Sequence, residues 1–515
     1  MQTSTEISAD APVAGVTTAA VRRYVTTSIP YVNAAPHIGF AMELIQADVL
    51  ARLYRLRGDD VRFQAGSDEN SLKNVQAAEA AGRTVADLVA ENAGRFQALK
   101  GVLDLSTDAF IRTSTDPGHR AGVARLWAVC AARGDIYKRA YRGRYCVGCE
   151  QFYKATELVD GRCPEHGTVP ETVAEENYFF RLSRYGAALR RAIASGALAI
   201  VPEHRRNEAL AWIDAGLEDF SISRSAVRAR GWGLPVPGDP AQVIYVWFDA
   251  LGNYVTALDY AGDGAPLESY WHGAASREHV IGKGILRFHA IYWPAMLLSA
   301  GLPLPSRVLV HGYLTVDGRK IGKSAGNAVD PVPLARALGA DALRYYLLRH
   351  VRATADGDFS ETRLRQAYAS ELAGQLGNLV HRTTSMLARY CDGTVPAPVA
   401  DDVHDAELRA AIGALLAVVA GHIEAFAFDA ALAAIWQAIA AANRLIATRE
   451  PWALARRGER AAVDTCLGEA AAALVVIGRC LAPLLPTTSR TLLAQLGTAP
   501  GNRIEPGPLL FPPPD

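Results

Sequence analysis

Two stretches of the sequence hold side chains that suit phosphate chemistry. In "NAAPHIGFAMELI", His37 and Gly39 lie between a predicted strand and a predicted helix. The free N–H groups and the dipole at a helix start favour an anion, which histidine can also bind and which glycine lets approach the backbone. In "HGYLTVDGRKIGKSAGN", Lys320 and Lys323 lie three residues apart on a glycine-containing loop, which suits a polyanion. Taken singly, each stretch also fits a surface histidine or a solvated loop.

A third group of residues has the spacing of metal ligands. Cys146 and Cys149 form C-x2-C, and after thirteen residues Cys163 and His166 form C-x2-H. Two close pairs of soft ligands predict a closed tetrahedral zinc site, and with no open position its role is structural. The remaining cysteines are predicted to be isolated core residues: Cys130, Cys391, Cys466 and Cys480.

The stretch around His37 is flanked by the pattern of a βαβ unit. "YVTTSI" from Tyr24 predicts a buried strand. The next segment predicts a helix with one apolar face: Met42, Ile45, Val49, Leu53 and Leu56. "VRFQAG" from Val61 predicts a second strand, which is closely followed by Asp68. Strand, helix and strand in this order predict a parallel sheet.

The rest of the chain predicts an interrupted sheet and a helical end. From Tyr137 to about Gly238, cysteines, prolines and short strands indicate an inserted domain. Three apolar stretches then predict strands that resume the sheet: "QVIYVWFDAL", "EHVIG" and "RVLVHG". After about Pro331, apolar residues recur at intervals of three and four, the pattern of an antiparallel helical bundle.

Composition narrows the class of protein without identifying a partner. The 515 residues are 50% apolar and 21% charged, and 53 basic residues balance 53 acidic ones. This balance neither requires nor excludes nucleic acid, because a local patch could bind it. The first twenty residues carry Glu6 and Asp10 and lack the apolar core of a signal peptide. The longest apolar run, "AAAALVVIG", is expected to be too short for a membrane span, so we expect a cytoplasmic protein.

Taken together, these motifs resemble the methionyl-tRNA synthetase family of class I aminoacyl-tRNA synthetases, from about Tyr24 to Leu493. The class signatures HIGH and KMSKS are present as "HIGF" and "KIGKS". "IPYVNAAPHIGF", "CVGCEQFY", "YVWFDAL", "FHAIYWPAML", "HGYLTVDGRKIGKS" and "GNLVHRT" follow the family's order and spacing. Six motifs in order are specific evidence where one would be weak.

The resemblance implies an α/β fold: a Rossmann-like parallel-sheet catalytic domain split by a zinc-binding insertion, then an α-helical anticodon-binding bundle. It also implies activation of methionine, or a similar amino acid, by ATP with Mg²⁺ and transfer to tRNA. The implied catalytic residues are His37, Lys320 and Lys323. The implied ATP-binding residues are His37, Gly39, Gly282, Lys320, Lys323 and Ser324.

The resemblance further implies sites for the amino acid and for tRNA. Asp68 matches the carboxylate that holds the substrate ammonium, and Arg224 matches its charged neighbour. The implied methionine side-chain pocket is Ile29, Tyr31, Trp247, Leu251, Tyr254, Phe288, His289 and Trp293. Aromatic walls of this kind contact sulfur favourably. The implied anticodon readers are Asn378, Arg382 and Trp452, and an aromatic ring can stack on an unpaired base.

The domain boundaries follow from the same alignment of motifs. We expect a disordered tail at 1–22, catalytic halves at 23–136 and 242–318, and the inserted domain with its zinc knuckle at 137–241. We expect the KMSKS-type loop and stem-contact region at 319–370, the anticodon-binding domain at 371–495 and a tail at 496–515. No appended dimerisation domain is evident, so we expect a monomer.

Four positions depart from the family pattern within motifs assigned to the reaction site: Phe40, Asn70, Gly284 and Gly322. Phe40 replaces the second histidine of HIGH, and Gly284 replaces a carboxylate expected at the ATP ribose. We therefore expect Phe40 and Gly284 to weaken ATP handling. Two alternatives to a methionine–tRNA ligase stay open on the sequence. One is a paralogue that transfers an activated amino acid to a small amine or hydroxylamine, and the other is a tRNA-binding regulator without catalysis.

Overall fold

The structure, a computed structural model, describes residues 20–148, 151–262, 264–321, 326–397, 406–499, 501–504 and 507–513. Its strands are β1 (Arg22–Thr27), β2 (Asp60–Ser67), β3 (Ala109–Arg112), β4 (Ile136–Cys146), β5 (Gln151–Tyr153), β6 (Glu171–Phe180), β7 (Ala199–Val201), β8 (Phe220–Ser221), β9 (Ser223–Ser225), β10 (Pro235–Val236), β11 (Asp239–Ile244), β12 (Ser276–Gly282), β13 (Arg307–His311), β14 (Leu314–Val316), β15 (Arg319–Lys320) and β16 (Gly357–Phe359).

The helices are α1 (Ile38–Leu56), α2 (Leu72–Ala80), α3 (Val85–Val102), α4 (Pro117–Ala132), α5 (Gly186–Ser195), α6 (Glu203–Asp214), α7 (Val246–Thr256), α8 (Ala265–Leu267), α9 (Trp293–Ala300), α10 (Pro331–Leu338), α11 (Ala340–Arg349), α12 (Glu361–Ala367), α13 (Asn378–Tyr390), α14 (Ala406–Gly413), α15 (Leu415–Glu424), α16 (Phe428–Arg449), α17 (Pro451–Arg456), α18 (Arg460–Leu481) and α19 (Pro486–Leu496).

A parallel sheet of six strands lies at the centre, in the order β3-β2-β1-β12-β13-β7. The predicted parallel sheet is confirmed, as are the strands predicted at Tyr24, at Val61, in "EHVIG" and in "RVLVHG". The chain leaves β1 toward β2 on one side, and β12 lies on the other side. In open α/β sheets, ligands bind at the carboxyl ends of the strands where the strand order reverses in this way.

The helix α1 covers the sheet beside this crevice. The apolar face predicted for it is buried at Met42, Ile45, Val49 and Leu53, and Leu56 is half-buried. These side chains join a large core that continues into the C-terminal helices. The core fixes the position of the N-terminal end of α1, which opens at the carboxyl edge of the sheet.

The stretch "QVIYVWFDAL" was predicted as a strand of the main sheet, and this prediction was wrong. Its first residues end β11, which pairs antiparallel with β9 in a small separate sheet. From Val246 the chain is helix α7, which is almost entirely buried. A continuous apolar run lacks the alternation or the helical period that would tell a buried strand from a buried helix.

The segment 137–241 forms a second sheet and also contributes to the first. Strands β5, β4, β6 and β8 make a four-stranded antiparallel sheet. The same segment supplies β7, which pairs with β13 at the edge of the parallel sheet. The insertion is therefore continuous with the parallel sheet at this edge, a feature that the sequence did not suggest because β7 is only three residues long.

The C-terminal half is helical from α10 onward, as predicted, apart from the short strand β16. The predicted tail at 496–515 departs from expectation where the structure describes it. Ile504 and Phe511 are buried, and the Phe511 ring lies 6.0 Å from that of Tyr368. Backbone hydrogen bonds from Ile504 N–H to Gly393 O and from Val395 N–H to Asn502 O also hold this segment on the bundle. The tail predicted at 1–22 lies almost wholly outside the described residues.

Three helical segments in the described part of the chain are long and apolar enough to cross a membrane: Ala406–Glu424, Phe428–Arg456 and Arg460–Leu481. The run "AAAALVVIG" was expected to be too short for a membrane span. It is part of the 22-residue helix α18, which is long enough. In the fold, α16 and α18 pack on each other, and more than half of each of their windows is buried within the protein. Their apolar character is thus accounted for by helix packing.

Candidate active site

The N-terminal end of α1 presents His37 and Gly39. The Nδ1 atom of His37 accepts a hydrogen bond from the Gly39 N–H at 3.1 Å. Burial lowers the pKa of His37 to about 4, so the ring is neutral near pH 7. A neutral ring that accepts at Nδ1 carries its proton at Nε2. His37 can therefore donate a hydrogen bond to a phosphate oxygen without bringing a positive charge.

Phe40 has a packing role that the sequence did not suggest. Its ring centroid lies 4.4 Å from that of His37 and 5.3 Å from that of Phe96. It belongs to an apolar cluster between α1 and α3 that includes Val32 and Val89. The aromatic ring thus fixes the plane of His37 from one side, in addition to removing a hydrogen-bond donor.

A cavity of about 660 Å³ opens at this end of α1. Its wall includes His37, Gly39 and Gly282 from the predicted ATP site, and Tyr31, Trp247 and Phe288 from the predicted amino-acid site. Gly148, Glu165 and His166 of the predicted zinc knuckle line the same cavity. Three groups of residues that are distant in sequence therefore meet around one space.

The aromatic side chains of the predicted methionine pocket form two layers. On the cavity wall, the rings of Trp247 and Phe288 stack with centroids 3.7 Å apart and planes 6° apart. A second layer lies buried beyond it: Leu251, Tyr254, His289 and Trp293. The Tyr254 hydroxyl lies 2.7 Å from His289 Nε2. Ile29 is half-buried beside Gly66, where a Cβ would lie 2.8 Å from the Ile29 methyl group.

Asp68 and Arg224 are both buried, in different surroundings. Asp68 follows β2, and its Oδ1 accepts a hydrogen bond from the Asn70 N–H at 3.2 Å. The Arg224 guanidinium lies 5.2 Å and 5.1 Å from the ring centroids of Tyr145 and Tyr245. The roles implied for these two residues stay predictions.

Asn70 was grouped with the departures in the reaction site, but its side chain is part of a buried network outside the cavity wall. Its amide donates to Asp249 Oδ2 at 2.7 Å, and the other oxygen of Asp249 lies 2.6 Å from His119 Nε2. His119 in turn contacts the Thr256 hydroxyl at 2.7 Å. Asn70 therefore satisfies a buried carboxylate, and nothing in these contacts requires it to affect ATP.

The second signature loop is described only in part. Ile321 lines the cavity, and the backbone of Lys320 is in β15. Gly322, Lys323 and Ser324 lie outside the described residues, and so does the side chain of Lys320. Their predicted roles at the phosphates stay predictions.

Three of the four predicted metal ligands come together. The ligand atoms of Cys146, Cys163 and His166 lie within 4.8 Å of one another, and Cys163 Sγ is 3.9 Å from His166 Nδ1. Cys149 lies outside the described residues. At Gly148, a Cβ would lie 2.6 Å from the His166 ring, so only glycine leaves room for that ring.

On the bundle, the structure places Arg382 beside Trp452, with the guanidinium 5.8 Å from the ring centroid. Asn378 is exposed one helical turn before Arg382 on α13. All three predicted anticodon residues thus belong to adjoining helices, α13 and α17.

Sequence reasoning missed an ion pair on the cavity wall. His311 Nε2 lies 2.8 Å from Glu43 Oε2, and the other oxygen of Glu43 accepts from the N–H and hydroxyl of Ser28 at 2.9 and 2.6 Å. Glu43 is one turn beyond Gly39 and His311 ends β13. The sequence indicated this pair only in that Glu43 and His311 each lie next to one of the two signature motifs. Their contact itself forms only in the folded sheet.

The buried histidines predict a loss of stability in mild acid. Burial lowers the pKa of His37 and of His289 to about 4. Burial, with a smaller contribution from His289 and Arg277, holds the pKa of His279 well below its usual range. Histidines of the unfolded chain titrate near pH 6.5, so below that pH unfolding takes up protons and costs about 1.4 kcal/mol less per pH unit for each. We expect the thermal unfolding midpoint to fall between pH 6.5 and 5, and a constant midpoint across that window would contradict this.

The sequence and the structure of this chain are both similar to those of known proteins. A family model described as tRNA synthetases class I (M) matches residues 23–169 and 153–384. A methionine–tRNA ligase of Mycobacterium bovis is 42% identical over 506 residues, covering 95% of this chain and 96% of the relative. One of Brucella suis is 42% identical over 484 residues, covering 93% and 92%. A solved structure of Mycobacterium tuberculosis methionyl-tRNA synthetase in complex with methionyl-adenylate has a TM-score of 0.91 at 41% identity, covering 96% of this chain and all of that one.

Proposed function

Because this chain belongs to the class I tRNA synthetases, among the methionine–tRNA ligases, we propose that it joins methionine to ATP and transfers the methionyl group to tRNA. The observation that supports this most is the shared cavity. It brings the phosphate-binding end of α1 to the aromatic wall of Trp247 and Phe288. The alignment also extends through the helical C-terminal half, which favours tRNA as the acceptor over a small amine.

In the first step, a carboxylate oxygen of methionine attacks the α-phosphorus of ATP and pyrophosphate leaves. Negative charge gathers on the phosphate oxygens, so preorganised donors accelerate the step. His37 supplies the Nε2–H donor, and the dipole of α1 favours negative charge beside it. Lys320 and Lys323 are proposed to stabilise the leaving pyrophosphate, with Mg²⁺ bound to the ATP.

The amino-acid end of the cavity suits a substrate with an apolar side chain. The stacked rings of Trp247 and Phe288 offer an aromatic surface to a thioether. Asp68 is proposed to bind the ammonium, with Arg224 as its charged neighbour. A carboxylate so deeply buried makes a charge-assisted hydrogen bond stronger than one in water.

The helical half is proposed to read the anticodon through Asn378, Arg382 and Trp452. The ring of Trp452 can stack on an unpaired base, and the Arg382 guanidinium beside it can bind the base edge or a phosphate. We also propose that the enzyme acts in the cytoplasm as a monomer. Light scattering during size-exclusion chromatography tests the oligomeric state.

The proposal is tested by two assays on the whole protein. ATP–pyrophosphate exchange is measured with each amino acid in turn, and acylation is then measured with and without methionine tRNA. We expect exchange to depend on methionine and acylation to depend on tRNA. Exchange with another amino acid alone, or transfer to a small amine but not to tRNA, would overturn the proposed acceptor or substrate.

We propose that Zn²⁺ is held by Cys146, Cys149, Cys163 and His166. The donor set fits, because three soft ligand atoms already converge within 4.8 Å and the cysteines among them are buried. With four protein ligands the metal leaves no position for a substrate. Its contribution is to hold the knuckle against the cavity, which Glu165 and His166 line.

Metal analysis of protein purified without added zinc is expected to find about one equivalent, as a closed four-ligand site requires. Cys146→Ser should lower both the zinc content and the unfolding temperature. Cys130→Ser is the matched control, because that thiol is buried on α4 away from the knuckle and should leave zinc unchanged. Full zinc content after loss of both Cys146 and Cys149 would exclude this ligand set.

A further inference from the structure

Gly284 lies on the cavity wall, and the space that a side chain would take there is filled. A Cβ at position 284 would overlap the hydroxyl of Tyr313 and would lie 3.1 Å from its Cζ atom. The backbone torsion of Gly284 is not in the left-handed region, so a side chain here is opposed by the Tyr313 hydroxyl and not by backbone conformation. The carboxylate that the family pattern places at this position cannot be added while Tyr313 stays in place.

Tyr313 is held in this position from three directions. Its N–H donates to Asp356 Oδ1 at 2.8 Å. The Lys283 ammonium lies 4.5 Å from the Tyr313 ring centroid and 2.7 Å from Asp356 Oδ2. The Tyr313 hydroxyl donates to Glu165 Oε2 on the zinc knuckle at 3.3 Å. The ring is thus oriented by groups from several parts of the chain.

The position of Tyr313, just after strand β13, indicates which part of a nucleotide its side chain contacts. The proposed function places phosphate beside His37 at the N-terminal end of α1, which follows β1. Gly284 and Tyr313 follow the next two strands, β12 and β13, at the same carboxyl edge and on the same cavity. A mononucleotide that extends from α1 along this edge brings its sugar past these two loops.

We propose that Tyr313 is a nucleotide-positioning residue whose hydroxyl, in the space that Gly284 leaves, forms a hydrogen bond with a ribose hydroxyl of ATP. This inference rests on the proposed function. A phenolic oxygen that donates its proton to Glu165 can still accept one from a sugar hydroxyl. Gly284 and Tyr313 then act together. The absence of a side chain at Gly284 leaves room for the Tyr313 ring, and the Tyr313 hydroxyl supplies the oxygen that binds the ribose.

The test compares ATP, 2′-deoxy-ATP and 3′-deoxy-ATP in methionine-dependent pyrophosphate exchange. A neutral hydrogen bond changes affinity by about 2- to 10-fold. We expect Tyr313→Phe to raise the KM for ATP by that factor and to leave the KM for methionine unchanged. We also expect it to abolish the wild-type preference for ATP over the deoxy analogue that lacks the bonded hydroxyl.

Tyr270→Phe is the matched control, because that hydroxyl also donates to a carboxylate, Asp60, at 2.9 Å, away from the cavity wall. It should behave as wild type. If Tyr313→Phe keeps the wild-type preference for ATP over both deoxy analogues, the inference is wrong. If the wild-type protein shows no exchange with ATP and methionine, the proposed function fails instead, and the two failures are thereby distinguished.

A second pair of variants tests the coupling of the two positions. Gly284→Ala should raise the KM for ATP in the wild-type background, because the new methyl group displaces the Tyr313 hydroxyl. In the Tyr313→Phe background the same change should cost less, since the overlapping oxygen is gone. Equal costs in both backgrounds would show that the two positions act independently.

Discussion

Replacing His37 with alanine is expected to slow methionine-dependent ATP–pyrophosphate exchange by about 100- to 1,000-fold. Loss of one preorganised donor to a developing charge costs about 2.7–4 kcal/mol of transition-state stabilisation. The donor here is the Nε2–H of a ring whose Nδ1 is fixed by the Gly39 N–H and whose face rests on Phe40. The KM for methionine should change little, because the ring lies at the phosphate end of the cavity.

The pH dependence of exchange separates this role from that of a charged histidine. Because burial lowers the pKa of His37 to about 4, the ring stays neutral at pH 6 and above, and its own titration should not appear between pH 6 and 8. His204→Ala on the surface of α6 is the control and should be as active as wild type. Activity of His37→Ala within a factor of three of wild type would remove His37 from the chemistry.

The strands and helices with clear patterns could be predicted from the sequence, and those without one could not. Strands β1 and β2 were found as short apolar runs on either side of a segment with the helical period, which is α1. The strand expected at "QVIYVWFDAL" became helix α7, because a continuous apolar run does not distinguish a buried strand from a buried helix. Strand β7 is too short to be recognised and is defined only by its pairing with β13.

The candidate site was predictable as a set of motifs but not as a set of contacts. His37, Gly282, Trp247 and Phe288 were named from motifs, and the fold places them on one cavity. What each departure does depends on neighbours that are distant in sequence.

Asn70 donates a hydrogen bond to Asp249, 179 residues away. Gly284 leaves space for Tyr313, whose hydroxyl donates to Glu165. A departure from a motif is therefore weak evidence of altered chemistry until its neighbours are known. Among the three departures that the structure describes, only Phe40 combines a lost donor with a packing contact on the histidine of the proposed step.

Replacing Arg344 with methionine is expected to destabilise the protein by about 3–5 kcal/mol, the typical cost of removing one partner of a buried ion pair. Arg344 is fully buried on α11, and its Nη1 lies 2.7 Å from Asp48 Oδ2 on α1. Burial would raise the pKa of Asp48, but Arg344 and Arg52 outweigh it and hold that pKa below its usual range. Without Arg344 the carboxylate keeps only Arg52 and Ser106 as partners.

The same guanidinium joins the two halves of the molecule, so its loss should also affect function. It donates to Leu484 O at 2.8 Å and to Pro483 O at 3.1 Å, just beyond α18 of the bundle, and to Leu103 O at 3.3 Å beside the sheet. Helix α1 carries Asp48, and its N-terminal end carries His37, the proposed phosphate donor. We therefore expect tRNA acylation, which needs both halves in register, to fall more than pyrophosphate exchange does.

Chemical and thermal unfolding midpoints of the variants measure the effect. Arg336→Met, an exposed arginine on α10, is the control and should shift the midpoint little. The double variant Asp48→Asn with Arg344→Met removes both charges and should recover part of the loss, since the single change leaves a buried carboxylate that has lost one of its two guanidinium partners. If the double variant is less stable than Arg344→Met by the full cost of Asp48→Asn, the two charges do not interact. The link between the bundle and α1 would then rest on the guanidinium's bonds to Leu103, Pro483 and Leu484 alone.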